Sequence, residues 1–249
     1  MDMLSVIRRI RRKMKSYQNI LKRLSKQRDK NVVLSFGENC LTDDILSRTG
    51  LKSFSSPYSS GRTNVEYVLA FEKEGFADLL NRGYLEYEYA DDKKVARNKK
   101  YVATKNRYHE SCVNGFELTH HDVIGSKMNS DTISKRCRRM LELKNRNIVI
   151  VYHHRLCTKT DEELLISHLA ELADIYRARG NEVSVFMFCQ VLVSEENQRR
   201  VVRSVRGGVH VYEFHTLREW AGDNDDVFWA RCDDDLLRTM IADIKKKLR

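Results

Sequence analysis

The stretch Asn147-Ile-Val-Ile-Val-Tyr152 most narrows the folds open to this 249-residue chain. Its β-branched residues favour a strand, and an apolar run without polar alternation must be covered on both faces. Residues 32–34, 182–188 and 209–214 have the same character. Helical patterns lie between these runs. One covers about 131–143. A second is opened by the capping box Thr160-Asp-Glu-Glu163 and closed by Gly180. A third begins after Ser194, with Gly207-Gly208 as a turn, and a last one covers about 233–247. Apolar strands alternating with helices predict an α/β fold, a three-layer domain with a mainly parallel sheet.

Residues 50–130 break this rhythm and read as an irregular insertion. A Ser/Gly-rich loop, 50–62, holds the only proline, Pro57. Asn64 then caps a helix of about 16 residues. Tyr84-Leu-Glu-Tyr-Glu-Tyr89 alternates as a half-exposed strand. The charged segment 91–107 reads as a surface excursion with a strand at 101–103. A short strand at 116–119 runs into His120-His121-Asp122.

The net charge of +10 belongs to one element. Residues 1–30 carry eleven Lys/Arg against Asp2 and Asp29, while the other 219 residues carry 34 basic and 33 acidic groups. The remainder is nearly neutral, so no nucleic-acid partner is expected. In the basic segment Met3, Ile7, Ile10, Met14, Tyr17, Leu21 and Leu24 recur at alternating spacings of four and three, the seam of an amphipathic helix. Three readings stand side by side. Residues 3–24 pair with another copy, lie on an anionic membrane surface, or pack on the protein's own core. The domain proper is then 31–249. No apolar run approaches a membrane span, and nothing resembles an export signal. The six cysteines, without a CxxC pair, are expected to be reduced thiols of a cytoplasmic protein, peripheral at the inner membrane face if the helix tethers it. No metal site is suggested.

In open parallel sheets, ligands bind beyond the carboxyl ends of the strands. The first strand delivers Gly37, Asn39 and Cys40, and the next segment, with Asp43 and Asp44 in its first turn, reads as a helix. A thiol at a helix N-terminus gains acidity from unpaired backbone N–H groups, which also receive an oxyanion. The other strand ends deliver His153, His154 and Arg155; Cys189 and Gln190; and His215 followed by Trp220 and Asp223. Beside them stand His120, His121 and Asp122. A thiol, imidazoles, an arginine and carboxylates on one edge are the parts of a thiol-dependent acyl-transfer site. Each has a structural reading too. One of His153 and His154 must face away, Asp223 fits a turn or cap, and Cys157 and Cys189 read as spectators.

The run Leu34-Ser-Phe-Gly-Glu-Asn-Cys40, the segment from Gly50 to Tyr58, then Thr119-His-His-Asp122, Lys135-Arg-Cys-Arg-Arg139, residues 148–155 and Trp220-Ala-Gly-Asp223 together resemble a bacterial family of unknown function labelled "putative papain-like cysteine peptidase". The resemblance covers about 31–240. It implies Cys40 as nucleophile and His121 as general base; Asp122, next to that base, is counted with them as a candidate catalytic residue. The family commonly has Pro-Phe-Asp-Trp where this chain reads Pro57-Tyr58-Ser59-Ser60. If that Asp orients the base, Asp122 or Asp223 takes its place. The strand pattern predicts a parallel sheet in place of papain's own architecture. More distantly, the layout is similar to capsular-polysaccharide acetyltransferases, which use coenzyme A. Arg62 and Arg155 are then the cations for its phosphates. The expected activity is a cysteine hydrolase acting on a small molecule, peptide or glycan. The alternatives are a coenzyme A-dependent acetyltransferase linked to cell-surface polysaccharide, and a binding module for a nucleotide or glycan.

Overall fold

A computed structural model describes residues 30–59, 61–90, 93–101, 107–223 and 228–249. The basic segment 3–24 lies outside them. Eight strands and five α-helices are described: β1 Asn31–Gly37, α1 Leu41–Arg48, α2 Val65–Lys73, β2 Leu85–Ala90, β3 Lys93–Asn98, β4 Phe116–Leu118, α3 Lys127–Leu141, β5 Asn147–His153, α4 Glu162–Arg177, β6 Glu182–Leu192, β7 Arg200–Arg206, β8 Val209–Thr216 and α5 Asp234–Lys247.

The main sheet has the order β1-β5-β6-β8-β7, parallel except for β7. The expected continuous apolar strands form it, and alternate residues serve two cores. Leu34, Ile150 and Met187 face a cluster with α2, α3 and α4. Val33, Val149, Phe186 and Phe214 face one with α1 and α5. Ile148, Val149 and Ile150 are fully buried. Burial of such a side chain is worth about 1.5–3 kcal/mol, so both helical layers are held by the sheet.

The region 50–130 is more regular than expected. It contains a three-stranded antiparallel sheet, β2-β3-β4. The segment read as a charged excursion supplies β3, whose last four residues are buried. Val95 and Ala96 are buried on opposite faces of the strand, and Arg97 enters because its guanidinium donates to the buried Glu117 carboxylate at 2.6 Å. Residues 102 and 103 of the expected strand at 101–103 lie outside the described residues. Helix α2 has nine residues instead of about 16, because Gly75 and Phe76 both adopt positive φ and end it.

Two further corrections concern the second half. The helix expected after Ser194 is a single 3₁₀ turn, Glu196–Gln198, followed by β7. The β-branched Val201, Val202 and Val205 and the Gly207-Gly208 pair, at φ 54° and 79°, make a two-residue hairpin into β8. Helix α4 is capped by Asp161, whose side chain accepts Leu164 N–H at 3.0 Å, and not by Thr160. None of the described helices is long and apolar enough to cross a membrane.

The small sheet shares the core on the α2 side of the main sheet, and one backbone approach to it is especially close. Arg62 and Glu117 exchange two backbone hydrogen bonds of 3.0 Å, with Gly61 against β4. A Cβ at Gly61 would stand 2.4 Å from Glu117 O and 2.8 Å from the Phe116 ring. Gly61→Ala is therefore expected to destabilise the fold by about 1–3 kcal/mol, as overpacking does, read as a lower urea midpoint with unchanged slope.

Candidate functional site

The apolar run of β1 ends at Gly37, which lies so close to β5 that an added Cβ would stand 3.0 Å from His153 Cβ and 3.1 Å from its carbonyl oxygen. Glycine there lets the chain leave the sheet edge and turn through Glu38 and Asn39 into α1. Asn39 Oδ1 accepts Leu41 N–H at 3.1 Å, and Cys40, the N-cap residue, accepts Asp44 N–H at 3.0 Å. The thiol thus points off the start of α1, half-buried.

The short strand β4 brings the partner. Beyond Leu118 the chain turns, with His121 N–H bonded to Leu118 O at 3.1 Å, and the exposed His120 ring meets the thiol. Cys40 Sγ lies 3.6 Å from His120 Nε2, within hydrogen-bond range for sulfur. His121, the expected base, is turned toward α3. Asn129 bonds its ring, and burial followed by the Arg136 charge lowers its basicity. Asp122 serves a turn, accepting Gly125 N–H at 2.8 Å, Ile124 N–H at 3.2 Å and the Tyr87 hydroxyl at 2.8 Å. Among the described residues no carboxylate touches His120, and its ring contact is with Cys40.

The thiol is less acidic than its helix position suggests. Burial, then the nearby Asp43 carboxylate, push Cys40 up to about 11, against the opposing pull of Arg62. Desolvation and two acids, Asp43 and Glu117, outweigh the helix terminus. Asp43 is linked through one hydroxyl to Ser59, the position where the family commonly has Asp. Its Oδ1 accepts the Ser35 hydroxyl at 2.9 Å, Ser35 Oγ lies 3.2 Å from Ser59 Oγ, and Lys52 donates to Asp43 Oδ2 at 2.7 Å.

The remaining expected residues divide. His154 and Arg155 gather around Glu38, which is fully buried. Glu38 Oε1 lies 2.6 Å from His154 Nδ1 and accepts Arg155 N–H at 3.2 Å, and its Oε2 accepts His109 N–H at 3.2 Å. Both arginines expected as cations for phosphates have carboxylate partners. Arg62 pairs with Glu117 at 3.7 Å, and Arg155 with Glu219 at 3.1 Å. His215 sits on β8, three strands from β1, or about 14 Å at the usual strand spacing. Asp223 is exposed in a bend after Trp220. Glu38 carried one signal in the sequence, a charged residue directly following a buried strand. His120 carried none that separated it from its neighbour.

A sequence model of the family described as "putative papain-like cysteine peptidase" matches residues 31–197, more than half of the chain. No curated protein and no solved structure matches.

His153 offers a test of burial at this edge. Its ring packs on Phe188 at 4.9 Å, and burial, with His154 and Arg155 adjacent, drives its basicity down to about 3. The unfolded chain takes up this proton near pH 6.5, and the native state does not. The stability supplied by the neutral ring is complete above 6.5 and is lost as pH falls toward 3, by up to about 1.4 kcal/mol per pH unit. Urea midpoints between pH 7 and 4 are expected to fall, and His153→Leu to flatten that fall.

Proposed function

Because the chain belongs to the family described as "putative papain-like cysteine peptidase", we propose that it is a cysteine hydrolase in which Cys40 is the nucleophile and His120 its general base. The contact of 3.6 Å between Cys40 Sγ and His120 Nε2 supports this reading. A thiol pushed up to about 11 is protonated at neutral pH. The dyad therefore works by proton removal during attack and does not hold a standing thiolate.

His120 takes the thiol proton as Sγ bonds to the substrate carbonyl carbon. The tetrahedral oxygen is received by amides of the first turn of α1, since Asn39 already occupies the Leu41 N–H. The leaving group departs with the proton from His120, and water, deprotonated by the same ring, releases the acyl group. Arg62, Lys52, Asp43 and Glu117 surround the thiol with charges of both signs. That mixture fits a polar, uncharged acyl substrate such as a peptide or acylated glycan better than a polyanion.

Alkylation of Cys40 by iodoacetamide, followed by peptide mass spectrometry from pH 6 to 11, tests the dyad. His120→Ala is expected to slow the reaction at pH 7 by about tenfold or more, within the range of general-base effects. The gap should close above pH 11, where the thiol ionises unaided, and His121→Ala should leave the rate near that of the parent. Equal rates in His120→Ala and the parent would remove His120 from the mechanism.

A further inference from the structure

A second thiol on the same sheet edge stands at the end of a chain of polar contacts that begins with the ion-pair approach of Glu38 to His154. Beyond β5 the backbone runs to Cys157 and turns, with Thr160 N–H bonded to Cys157 O at 3.1 Å. His154 Nδ1 lies 2.6 Å from Glu38 Oε1, and His154 Nε2 lies 3.1 Å from Thr160 Oγ1. Thr160 Oγ1 accepts Cys157 N–H at 3.0 Å and lies 3.3 Å from Cys157 Sγ. Glu38 and His154 are buried, whereas Cys157 is only half-buried.

The assignment of hydrogens follows from the carboxylate. His154 Nδ1 lies at ion-pair distance from Glu38 Oε1, without the alignment of a hydrogen bond, and the negative oxygen beside it favours the proton on Nδ1, which leaves Nε2 as an acceptor. The Thr160 hydroxyl donates to Nε2, and its two lone pairs receive the Cys157 N–H and S–H. The order is orienting acid, base, relay and thiol, the arrangement by which nucleophiles are activated. Helix α4 does not need this hydroxyl, because Asp161 caps it.

We propose that Cys157 is a second nucleophilic thiol, one that accepts acyl groups from small thioesters or activated esters. Cys157 Sγ bonds to the carbonyl carbon while the bond from that carbon to the leaving thiolate or alkoxide breaks. The thiol proton moves to Thr160 Oγ1 as the Thr160 proton moves to His154 Nε2, and the leaving group takes a proton back along the same path. No oxidant or reductant enters. This inference does not rest on the role of Cys40.

The test uses the full chain carrying Cys40→Ser, treated with p-nitrophenyl acetate at pH 7, with the acetylated peptide identified by mass spectrometry. Acetyl-Cys157 is expected to form at least about tenfold faster than after adding Thr160→Val, with Thr160→Ser restoring the rate. Equal rates with and without the hydroxyl would overturn the proposal. A second arm needs no change at Thr160. Between pH 7 and 8 the relay predicts a rise well below tenfold. A full tenfold rise, the behaviour of an unassisted thiol, would also overturn it.

Discussion

A fully buried carboxylate, that of Glu38, is the constraint on which the functional edge of this protein depends. A lone carboxylate inside a protein costs several kcal/mol, so its neighbours have to supply donors. Partners come from two separate parts of the chain: the His109 amide, and the Arg155 amide with the His154 ring at ion-pair distance beside it. The backbone carbonyl of Glu38 accepts the Cys112 thiol as well, at 3.3 Å. The turn leading to Cys40, the loop before β4 and the exit of β5 are thereby tied to one side chain. Satisfying it fixes where all three go.

The site around Cys40 is electrostatically mixed. Asp43 and Glu117 hold the proton on sulfur, Arg62 and Lys52 oppose them, and burial decides the balance. A thiol in this setting is quiet until a base takes its proton. In the mechanism proposed above, the position of one imidazole, set by the four residues that follow β4, separates an inert thiol from a nucleophile. Those residues are held in turn by Tyr87 on Asp122 and by Asn129 on His121.

The parallel sheet could be read from the sequence because residues 148–152 have no polar alternation, and such a run has few other solutions. Strand β3 could not be read, because Lys93, Lys94 and Arg97 look like surface until Glu117 is placed opposite Arg97. The β7–β8 hairpin had a local signature in Gly207-Gly208, but the polar residues 195–200 suggested a helix that tertiary pairing with β8 overrides. Cys40 was legible from its strand–turn–helix setting. Which of two adjacent histidines faces it was not, since a turn's rotation is fixed by contacts distant in sequence. The acidity expected of the thiol failed for the same reason. Helix position is local, whereas desolvation belongs to the assembled fold.

Strand β1 lies at the edge of the main sheet and pairs only with β5, whose matching residues come more than a hundred positions later. Such a pairing closes a long loop and is slow to form. Until that loop closes, the strand that carries Cys40 has no neighbour in the sheet. The burial that raises the thiol to about 11 is thus a property of the assembled sheet, and a chain whose loop is still open carries a cysteine of ordinary character.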